Sequence, residues 1–561
     1  MVLDCTPRIT SIWMTVLFLI AVQTAAVAQA ATNSRAGDNA DAYRIAGTVV
    51  SKTDGHLLAN ARVTISDTKN LQKVEFVITS EDGKYEFKGL PPGKYSLTGR
   101  KRGFIPSAYD AHEQFSTAIV TGAGLDTEHL ELKLAPDAVV AGKVLDEAGE
   151  PVRGARVTVY YDDHGEGISQ IHPFRGAQTD DLGVYEITPL RPGTYFLSVS
   201  AKPWYAVHPF SEAANSEAKG RTDAGQTFDR SLDVAYPLTY YADVTEADSA
   251  QPILIRGGER LQIDVHMNPL PALRLTFRVP GDGSGRYPNP RIEQSALGGA
   301  TNAEVDSVRM VSPGIWEMTG IPAGRYNIRT EGATGGGQLN GVDLSKDGEE
   351  VDTSRAEALS NIRVHVDLPG EGSVPKELAV GLRSGSRPLA GLSAIDSKGD
   401  AEIDNVPAGS YEWVVTNSRK RYSIAHVAAE GAEVSGHVLV LTPGSSPSVS
   451  LTLAAGNVDV QGIAKKAGKG FAGAMVVLVP DNPKENRNLF RRDQSDLDGT
   501  FSLPSVIPGS YTVLAIENGW ELNWSEPEVI AAYMKRGRKI EVGSKGSQVL
   551  RVPNPVEVQS Q

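Results

Sequence analysis

The sequence has ten histidines and one cysteine, Cys5, and these are the residues that could carry metal or nucleophilic chemistry. A zinc peptidase needs a motif such as His-x-x-Glu with a distant His, because zinc takes three protein ligands and keeps one position open. No histidine here is followed by Glu three positions later, and His112-Glu113 does not continue to a second His. The serine-hydrolase elbow and the phosphate-binding loop are also missing from the sequence. We therefore predict no catalytic residue, no metal site and no cofactor. An enzyme with an unrecognised site is kept as an alternative.

One acidic stretch could bind calcium, because this cation prefers several carboxylate oxygens. It comprises residues 162–166 (Asp-Asp-His-Gly-Glu), with Asp180 and Asp181 further along the chain. The other interpretation, which we favour, is a solvated hairpin tip beside a turn.

Four aromatic residues in loops are candidates for binding a sugar ring by stacking. They are Trp204, Tyr205, Trp520 and Trp524. Each lies just after a predicted core strand, at one end of its module. The alternative, which we also favour here, is that they cap a module or pack against the next one. Trp316 and Trp413 belong to, or lie beside, a repeated phrase and are predicted to be core residues.

These candidates must be positioned by a repeated phrase, of which Asp82-Gly83-Lys84-Tyr85-Glu86-Phe87 followed by Leu90-Pro91-Pro92-Gly93-Lys94-Tyr95 is one copy. A glycine turn, an alternating strand, a Pro-Gly turn and a second alternating strand follow one another, which predicts a hairpin with an aromatic inner face. The glycines expected to form these turns are Gly83, Gly93, Gly183, Gly193, Gly324, Gly409, Gly499 and Gly509.

A second phrase opens three of the modules, as in Val140-Ala141-Gly142-Lys143-Val144 before Val152-Arg153-Gly154-Ala155. Together the two phrases resemble the carboxypeptidase regulatory-like domain, a transthyretin-like or prealbumin-like sandwich related to the B-type repeats of collagen-binding adhesins. The layout is similar to exported multi-repeat proteins of acidobacteria. The resemblance implies an all-β chain of about five tandem Greek-key β-sandwich (Ig-like) domains after a signal peptide. In carboxypeptidases this module is an accessory beside the catalytic domain.

The spacing of the phrases predicts the division of the chain. Short linkers between the modules predict a stiff rod. Residues 201–250 are predicted to be an insertion, rich in aromatic residues, in the second module. The Pro527–Tyr533 stretch is the best helix candidate. The predicted parts are a signal peptide at 1–30, a flexible lead at 31–42, sandwiches at 43–136, 137–271, 272–355 (degenerate), 356–456 (degenerate) and 457–554, and a tail at 555–561.

The N-terminus predicts export. An apolar run at 12–22 ends near Ala28-Gln29-Ala30, which is typical of a cleaved signal peptide, and a retained anchor is the alternative. No other segment is long and apolar enough to span a membrane. The net charge of −13 disfavours a nucleic-acid partner. We predict a periplasmic, outer-surface or secreted protein that is a non-catalytic scaffold, adhesion or interaction protein of the cell envelope. A carbohydrate-binding protein is the main alternative, so the expected partner is an envelope protein or a polysaccharide.

Overall fold

A computed structural model describes residues 43–122, 124–211, 229–279, 287, 289–330, 337–351, 356–370, 373–384, 387–416, 422–543 and 548–560. The predicted signal peptide, the lead at 31–42 and the last residue lie outside these ranges. The chain is a series of two-layered β-sandwiches, so the predicted all-β class is confirmed. No helix in the described part is long and apolar enough to cross a membrane.

Domain 1 packs the sheet β4-β1-β8 against the sheet β3-β2-β5-β6, and β7 also pairs with β5. Alternation places Tyr85 and Phe87 in the core between the layers. The strands are β1 Tyr43–Ser51, β2 Arg62–Asp67, β3 Asn70–Ile78, β4 Lys84–Leu90, β5 Gly93–Arg100, β6 Ser107–Ala108, β7 Ile119–Thr121 and β8 Leu130–Leu134.

Domain 2 repeats this plan, with β12-β9-β17 facing β11-β10-β13-β15. Its strands are β9 Ala138–Leu145, β10 Arg156–Asp163, β11 Gln170–Gln178, β12 Val184–Leu190, β13 Gly193–Ser200, β14 Val234–Ala235, β15 Thr239–Tyr240, β16 Ile253–Ile255, β17 Arg260–Gln262, β18 Val265–His266 and β19 Leu270–Pro271. Two single-turn 3₁₀ helices lie at Arg230–Leu232 and Ala247–Ser249.

Domains 3 and 4 have the same two layers, although their sequences keep only the second half of the pattern. Domain 3 has β20 Leu273–Arg278, β21 Arg291–Ala296, β22 Gly299–Asn302, β23 Ser307–Ser312, β24 Ile315–Ile321, β25 Gly324–Thr330, β26 Gln338–Leu344, β27 Glu349–Val351 and β28 Glu357–Ala358. Domain 4 has β29 Ser360–Asp367, β30 Ala379–Ser384, β31 Arg387–Ala394, β32 Asp400–Val406, β33 Gly409–Thr416, β34 Tyr422–Glu430, β35 Glu433–Ser435, β36 Val438–Leu441 and β37 Ser448–Ala455. Trp316 and Trp413 are buried in these two cores, as predicted.

Domain 5 joins its layers through strand β46, which pairs with both β38 and β43. The helix predicted from Pro527 is confirmed and spans Pro527–Met534. The strands are β38 Val458–Lys466, β39 Lys469–Gly470, β40 Met475–Pro480, β41 Arg491–Gln494, β42 Thr500–Val506, β43 Gly509–Ile516, β44 Arg538–Val542, β45 Val549–Arg551 and β46 Val556–Gln559, with 3₁₀ turns at Arg487–Leu489 and Gly519–Glu521.

The Pro-Gly phrase has the same structural role in all five domains. The tyrosine that ends it donates a hydrogen bond from its hydroxyl to the carbonyl oxygen four residues earlier, at 2.8–3.1 Å. This bond ties the turn to the strand that follows it and satisfies a hydroxyl that would otherwise be buried without a partner. The tyrosines are Tyr95, Tyr195, Tyr326, Tyr411 and Tyr511.

The first turn of the phrase has left-handed glycines, with φ of 69°, 69° and 83° at Gly83, Gly183 and Gly499. In the second turn Gly193, Gly409 and Gly509 have φ of 151–155°, whereas Gly93 and Gly324 stay outside the positive range. At Gly183 a Cβ atom would lie 2.7 Å from the carbonyl oxygen of Val144, so this turn requires glycine for space as well as for its backbone angle.

The five domains do not lie in a row, which corrects the expected rod. Domain 5 packs against domains 1, 2 and 4, so the fifth domain lies against the first. Short linkers fix only neighbouring domains, and they leave room for a bend that accumulates along the chain. Arg491 joins domains 4 and 5 by donating to Ser423 at 2.6 Å, and Ser211 joins domains 2 and 3 by donating to Glu317 at 2.7 Å.

Candidate functional site

The four predicted aromatic residues lie in two separate places. Trp204 is 87% exposed, and its ring is perpendicular to that of Tyr205, with the ring centres 5.9 Å apart. The Tyr205 hydroxyl donates to the carboxylate of Glu147, and Tyr236 donates to the same carboxylate at 3.3 Å. Burial and the charge of Glu147 raise the pKa of Tyr205 to about 12. Trp204 is thus a solvent-exposed ring on a loop of domain 2 that the Tyr205–Glu147 hydrogen bond holds in place.

Trp520 and Trp524 are buried, each 7% exposed, so neither ring is presented to solvent for stacking on a sugar. Trp520 stacks on His112 of domain 1 with ring centres 4.9 Å apart and planes within 6°. Trp524 packs against Phe490, 5.6 Å away. Both rings lie where domain 5 meets domains 1 and 2, and the packing alternative describes them. We call this contact the junction.

Arg492 of β41 is the centre of the junction. Its side chain is only 4% exposed, and its guanidinium lies 4.3 Å from the ring centre of Trp524. It donates two hydrogen bonds to Glu113 of domain 1, at 3.1 and 2.5 Å, and one to the Gly165 carbonyl of domain 2, at 2.7 Å. A planar guanidinium suits this arrangement because it can bind a carboxylate with two parallel bonds and still stack on an aromatic face. One side chain therefore joins three domains.

Gln494, two residues along the same strand, continues the contact with domain 1. Its amide nitrogen donates to the Asp110 carbonyl at 2.5 Å and to the Thr117 hydroxyl at 2.8 Å. Its amide oxygen lies 3.2 Å from Nδ1 of His112. Residues 492 and 494 share one face of β41 because side chains alternate along a strand. This face is therefore the surface that docks on domain 1.

The turn after β41 adds backbone bonds across the same interface. Ala118 of domain 1 donates its N–H to the Asp496 carboxylate at 3.0 Å, and Leu497 donates to the Ala118 carbonyl at 3.1 Å. Lys94 pairs with Asp496 and also donates to Thr500 at 2.7 Å. Burial raises the pKa of Asp496, while Lys94 opposes that shift. These bonds keep the buried polar groups satisfied where the two domains touch.

Domain 2 reaches the junction through the tip of its β10–β11 hairpin. The Ser525 N–H and hydroxyl both donate to the Gly167 carbonyl, at 3.2 and 3.0 Å. Gly167 has φ of +77°, and a Cβ atom there would lie 2.6 Å from the ring of Trp524. His164 Nδ1 lies 3.1 Å from Asn523 Oδ1. The predicted acidic hairpin tip is thus used for packing between domains.

The acidic residues considered for calcium have other partners. Asp162 accepts from Ser169 at 2.6 Å, Asp163 accepts from the Gly165 N–H at 3.1 Å, and Glu166 pairs with Arg383 of domain 4. Asp180 caps its own turn by accepting from two backbone N–H groups. In the part of the chain that the structure describes, no group of three or more metal-binding side chains comes together.

Asp493 lies between Arg492 and Gln494 and points to the other face of β41. Its carboxylate accepts the Ser502 N–H at 2.7 Å, and burial raises its pKa to about 6. The buried carboxyl therefore holds its proton to a higher pH than an exposed aspartate does.

A cleft of about 500 Å³ lies beside the junction, where domains 1, 2, 4 and 5 meet. Two of its basic side chains bind the same acidic one: Arg383 donates to Glu412 at 3.0 Å, and Arg487 lies 3.7 Å from the same carboxylate. Arg487 also donates to Ser525 at 3.0 Å. Of these contacts, the one between Arg487 and Glu412 joins domains 4 and 5.

Sequence reasoning missed Arg492, Glu113 and Gln494. The nearest signal is the pattern of β41, where residues 491–494 (Arg-Arg-Asp-Gln) carry no apolar side chain in a position that the repeat makes a strand. A polar strand with buried side chains must be matched by another polar surface. The sequence does not say which surface that is.

Two segments, residues 44–128 and 139–209, match the family model of the carboxypeptidase regulatory-like domain. None of the curated proteins matches the chain. Among solved structures it is similar to the Bacillus anthracis TIE protein, with 12% identity, 74% of this chain and 75% of that chain covered, and a TM-score of 0.17. It is also similar to a streptococcal ancillary pilin, with 12% identity, 55% of this chain and 98% of that chain covered, and a TM-score of 0.19. The minor pilin GBS52 of Streptococcus agalactiae has 12% identity, with 41% of this chain and 97% of that chain covered, and a TM-score of 0.20. At these TM-scores the similarities carry no information about function.

Proposed function

We propose that this chain, a tandem-repeat protein whose first two domains are carboxypeptidase regulatory-like domains, is a non-catalytic, exported interaction scaffold of the cell envelope. The expected partner is an envelope protein. The scaffold is a closed assembly in which domain 5 holds domains 1 and 2.

The observation that carries the proposal is the buried Arg492 with its three-domain contacts. Arginine, tryptophan and buried carboxylates are the residue types that ligand sites often use. Here they are engaged with each other, so their chemistry holds the assembly together. This supports a structural role for the part of the molecule with the densest polar contacts.

The division into five domains belongs to the same proposal. With two exceptions, the strand pairings in the described ranges stay within the predicted limits 43–136, 137–271, 272–355, 356–456 and 457–554. One exception is β46 at Val556–Gln559, which lies in the predicted tail 555–561 but pairs with β38 and β43, so domain 5 extends to about residue 559. The other is β28 at Glu357–Ala358, which pairs with β26 of domain 3. This pairing favours a third domain that ends at about residue 358.

Export is proposed from the sequence of residues 1–30, and it can be tested directly. The full-length gene is expressed in a bacterial host, and the mass of the product is measured in the periplasmic or medium fraction. Cleavage after Ala30 is the expected result. A cytoplasmic product with an intact N-terminus would contradict export, and a membrane-bound product with an intact N-terminus would favour an anchor.

The closed assembly is tested by small-angle X-ray scattering on the exported protein. A compact chain of this length has a radius of gyration of about 24 Å, whereas five sandwiches in a line give about 50 Å. A value near the first of these supports the scaffold as described. Peptidase and glycosidase substrates should show no turnover, and turnover above background that co-purifies with the chain would contradict a non-catalytic role.

Trp204 supports a second candidate function, carbohydrate binding, because its ring is 87% exposed. Large exposed aromatic rings contribute to recognition sites more often than other surface residues do. The test is binding of the exported protein to a panel of glycans, with Trp204→Ala as the variant. Specific binding that this variant loses would support the candidate, and a panel with no specific binding would contradict it.

A further inference from the structure

Strand β3 is an open edge of domain 1. It pairs with β2 on one side, and among the described residues no strand pairs with its other side. Eight of its nine residues are exposed. They include four apolar side chains whose exposed fractions are 50–71%: Leu71, Val74, Phe76 and Ile78. An extended edge with this much apolar surface is a template for adding another strand.

The equivalent edges of two other domains are protected or covered. In domain 2, the edge strand β11 contains Pro173, which lacks an N–H for pairing. Gly298 of domain 3 also covers this strand: a Cβ atom on Gly298 would lie 2.0 Å from the carbonyl oxygen of Ile171. In domain 5, β41 docks on domain 1 through Arg492 and Gln494. Strand β3 has no proline and no covering domain in the described part of the chain. Among these three domains, it is therefore the edge left open in the described part of the chain.

The sequence of β3 is complementary to itself in one antiparallel register. If Val74 faces Val74 of another copy, Lys73 of each chain lies opposite Glu75 of the other, and both side chains are on the same face. Both residues are exposed on this strand. The same register places Leu71 opposite Val77. If the pairing were centred on residue 73 or residue 75 instead, the two copies of Lys73 or the two copies of Glu75 would face each other. Like charges in these positions are unfavourable.

We propose that a second copy of this chain is the partner of β3, and that two copies pair antiparallel about Val74 to form a symmetric dimer with a continuous sheet. This goes beyond the proposed scaffold function, and it uses a surface distinct from the junction. The dimer is isologous, because the same strand contributes to both sides. A pairing through one nine-residue strand is a small interface, so an equilibrium that depends on concentration is expected.

The test uses protein exported from the full-length gene and measures its mass by sedimentation velocity over about a hundredfold range of concentration. The expected result is a shift from monomer to dimer as the concentration rises. The reversals Lys73→Glu and Glu75→Lys each place like charges opposite one another, and each should weaken the dimer at least tenfold. The double variant K73E/E75K restores the opposite-charge pairs and should dimerise like the original protein.

Two further variants complete the design. Val74→Pro removes an N–H from the open edge and should give a monomer at every concentration. Lys346→Glu makes the same charge change as Lys73→Glu on an exposed residue of domain 3 and should leave the dimer unchanged. All these sites are exposed, and unchanged circular dichroism and thermal unfolding would verify the fold.

Three results would overturn the proposal. The first is an original protein that stays monomeric over the whole range. The second is dimerisation of the single reversals as strong as that of the original. The third is a double exchange that folds but remains monomeric. Scattering on the Val74→Pro variant separates this question from the junction, because its radius of gyration should still be that of a closed monomer.

Discussion

Replacing Arg492 by methionine should open the junction, because it removes the charge and keeps most of the side-chain volume. The variant loses two bonds to Glu113 and one to the Gly165 carbonyl. Breaking a buried ion pair costs about 3–5 kcal/mol, and the lower end applies because Glu113 is 22% exposed and can regain water. We therefore expect the docking of domain 5 to lose about 3 kcal/mol, which is roughly a hundredfold in the equilibrium between closed and open forms.

Two measurements would detect this change. The Ala118 amide is protected by its bond to Asp496 across the interface, so its hydrogen exchange should become about a hundredfold faster in Arg492→Met. The radius of gyration from scattering should rise above that of the original protein. In Arg492→Lys, both the exchange rate at Ala118 and the radius of gyration should lie between those of the original protein and of Arg492→Met. The ammonium group keeps the charge but cannot form two parallel bonds to the carboxylate.

The matched control is Arg44→Met, which also removes an arginine that pairs with glutamates of domain 1. Arg44 is 45% exposed and binds Glu86 and Glu128 on the surface, away from the junction. Exchange at Ala118 should stay unchanged in this variant. If Arg492→Met leaves both the exchange rate and the radius of gyration at their original values, Arg492 does not hold the domains together and the argument is refuted.

Three further predictions concern the same region. Burial raises the pKa of Asp493 to about 6, so the folded state holds the proton of this carboxyl more tightly than the unfolded chain does. The contribution of Asp493 to the unfolding free energy should therefore fall as the pH rises from about 4 to about 6. Asp493→Asn should remove that dependence and be about 2 kcal/mol more stable at pH 7 in urea titrations, and an unchanged pH profile would contradict the assignment. Gly167→Ala should weaken the docking of domain 5 on domain 2 by about 1–3 kcal/mol, and the Ser525 amide should then exchange its hydrogen faster. Gly149→Ala is the control, because it introduces similar backbone strain with open space around the new methyl group. It should leave hydrogen exchange at Ser525 unchanged. Trp520→Ala should lower the unfolding free energy by about 3–5 kcal/mol; a change no larger than the roughly 0.5 kcal/mol expected for a surface residue would show that its ring is not packed as described.

The fold class could be predicted because its determinants are local. A turn glycine, an alternating strand and a Pro-Gly-x-Tyr turn lie within about fifteen residues, and the Tyr511 hydroxyl binds a carbonyl only four residues away. Patterns of this kind decide where strands begin and which face is buried. The helix at Pro527–Met534 was predictable for the same reason, since proline at its start is a local signal.

The junction could not be predicted because its determinants are distant. Arg492 and Glu113 are 379 residues apart, and a single sequence contains no signal that pairs them. Trp520 illustrates the same limit, because an aromatic residue after a core strand looks alike whether it faces solvent or another domain. The rod was a reasonable expectation from short linkers, but linkers constrain neighbours and say nothing about the docking of the fifth domain on the first.

The return of domain 5 to domain 1 also sets an order in time. Lys94 and Asp496 are 402 residues apart, so the first domain is synthesised long before its docking partner exists. At about 5–20 residues per second, Asp110, Thr117 and Ala118 are synthesised some tens of seconds before their partners in domain 5. A chain that stops before β41 never covers them. Burial of this surface of domain 1 therefore depends on the presence of domain 5.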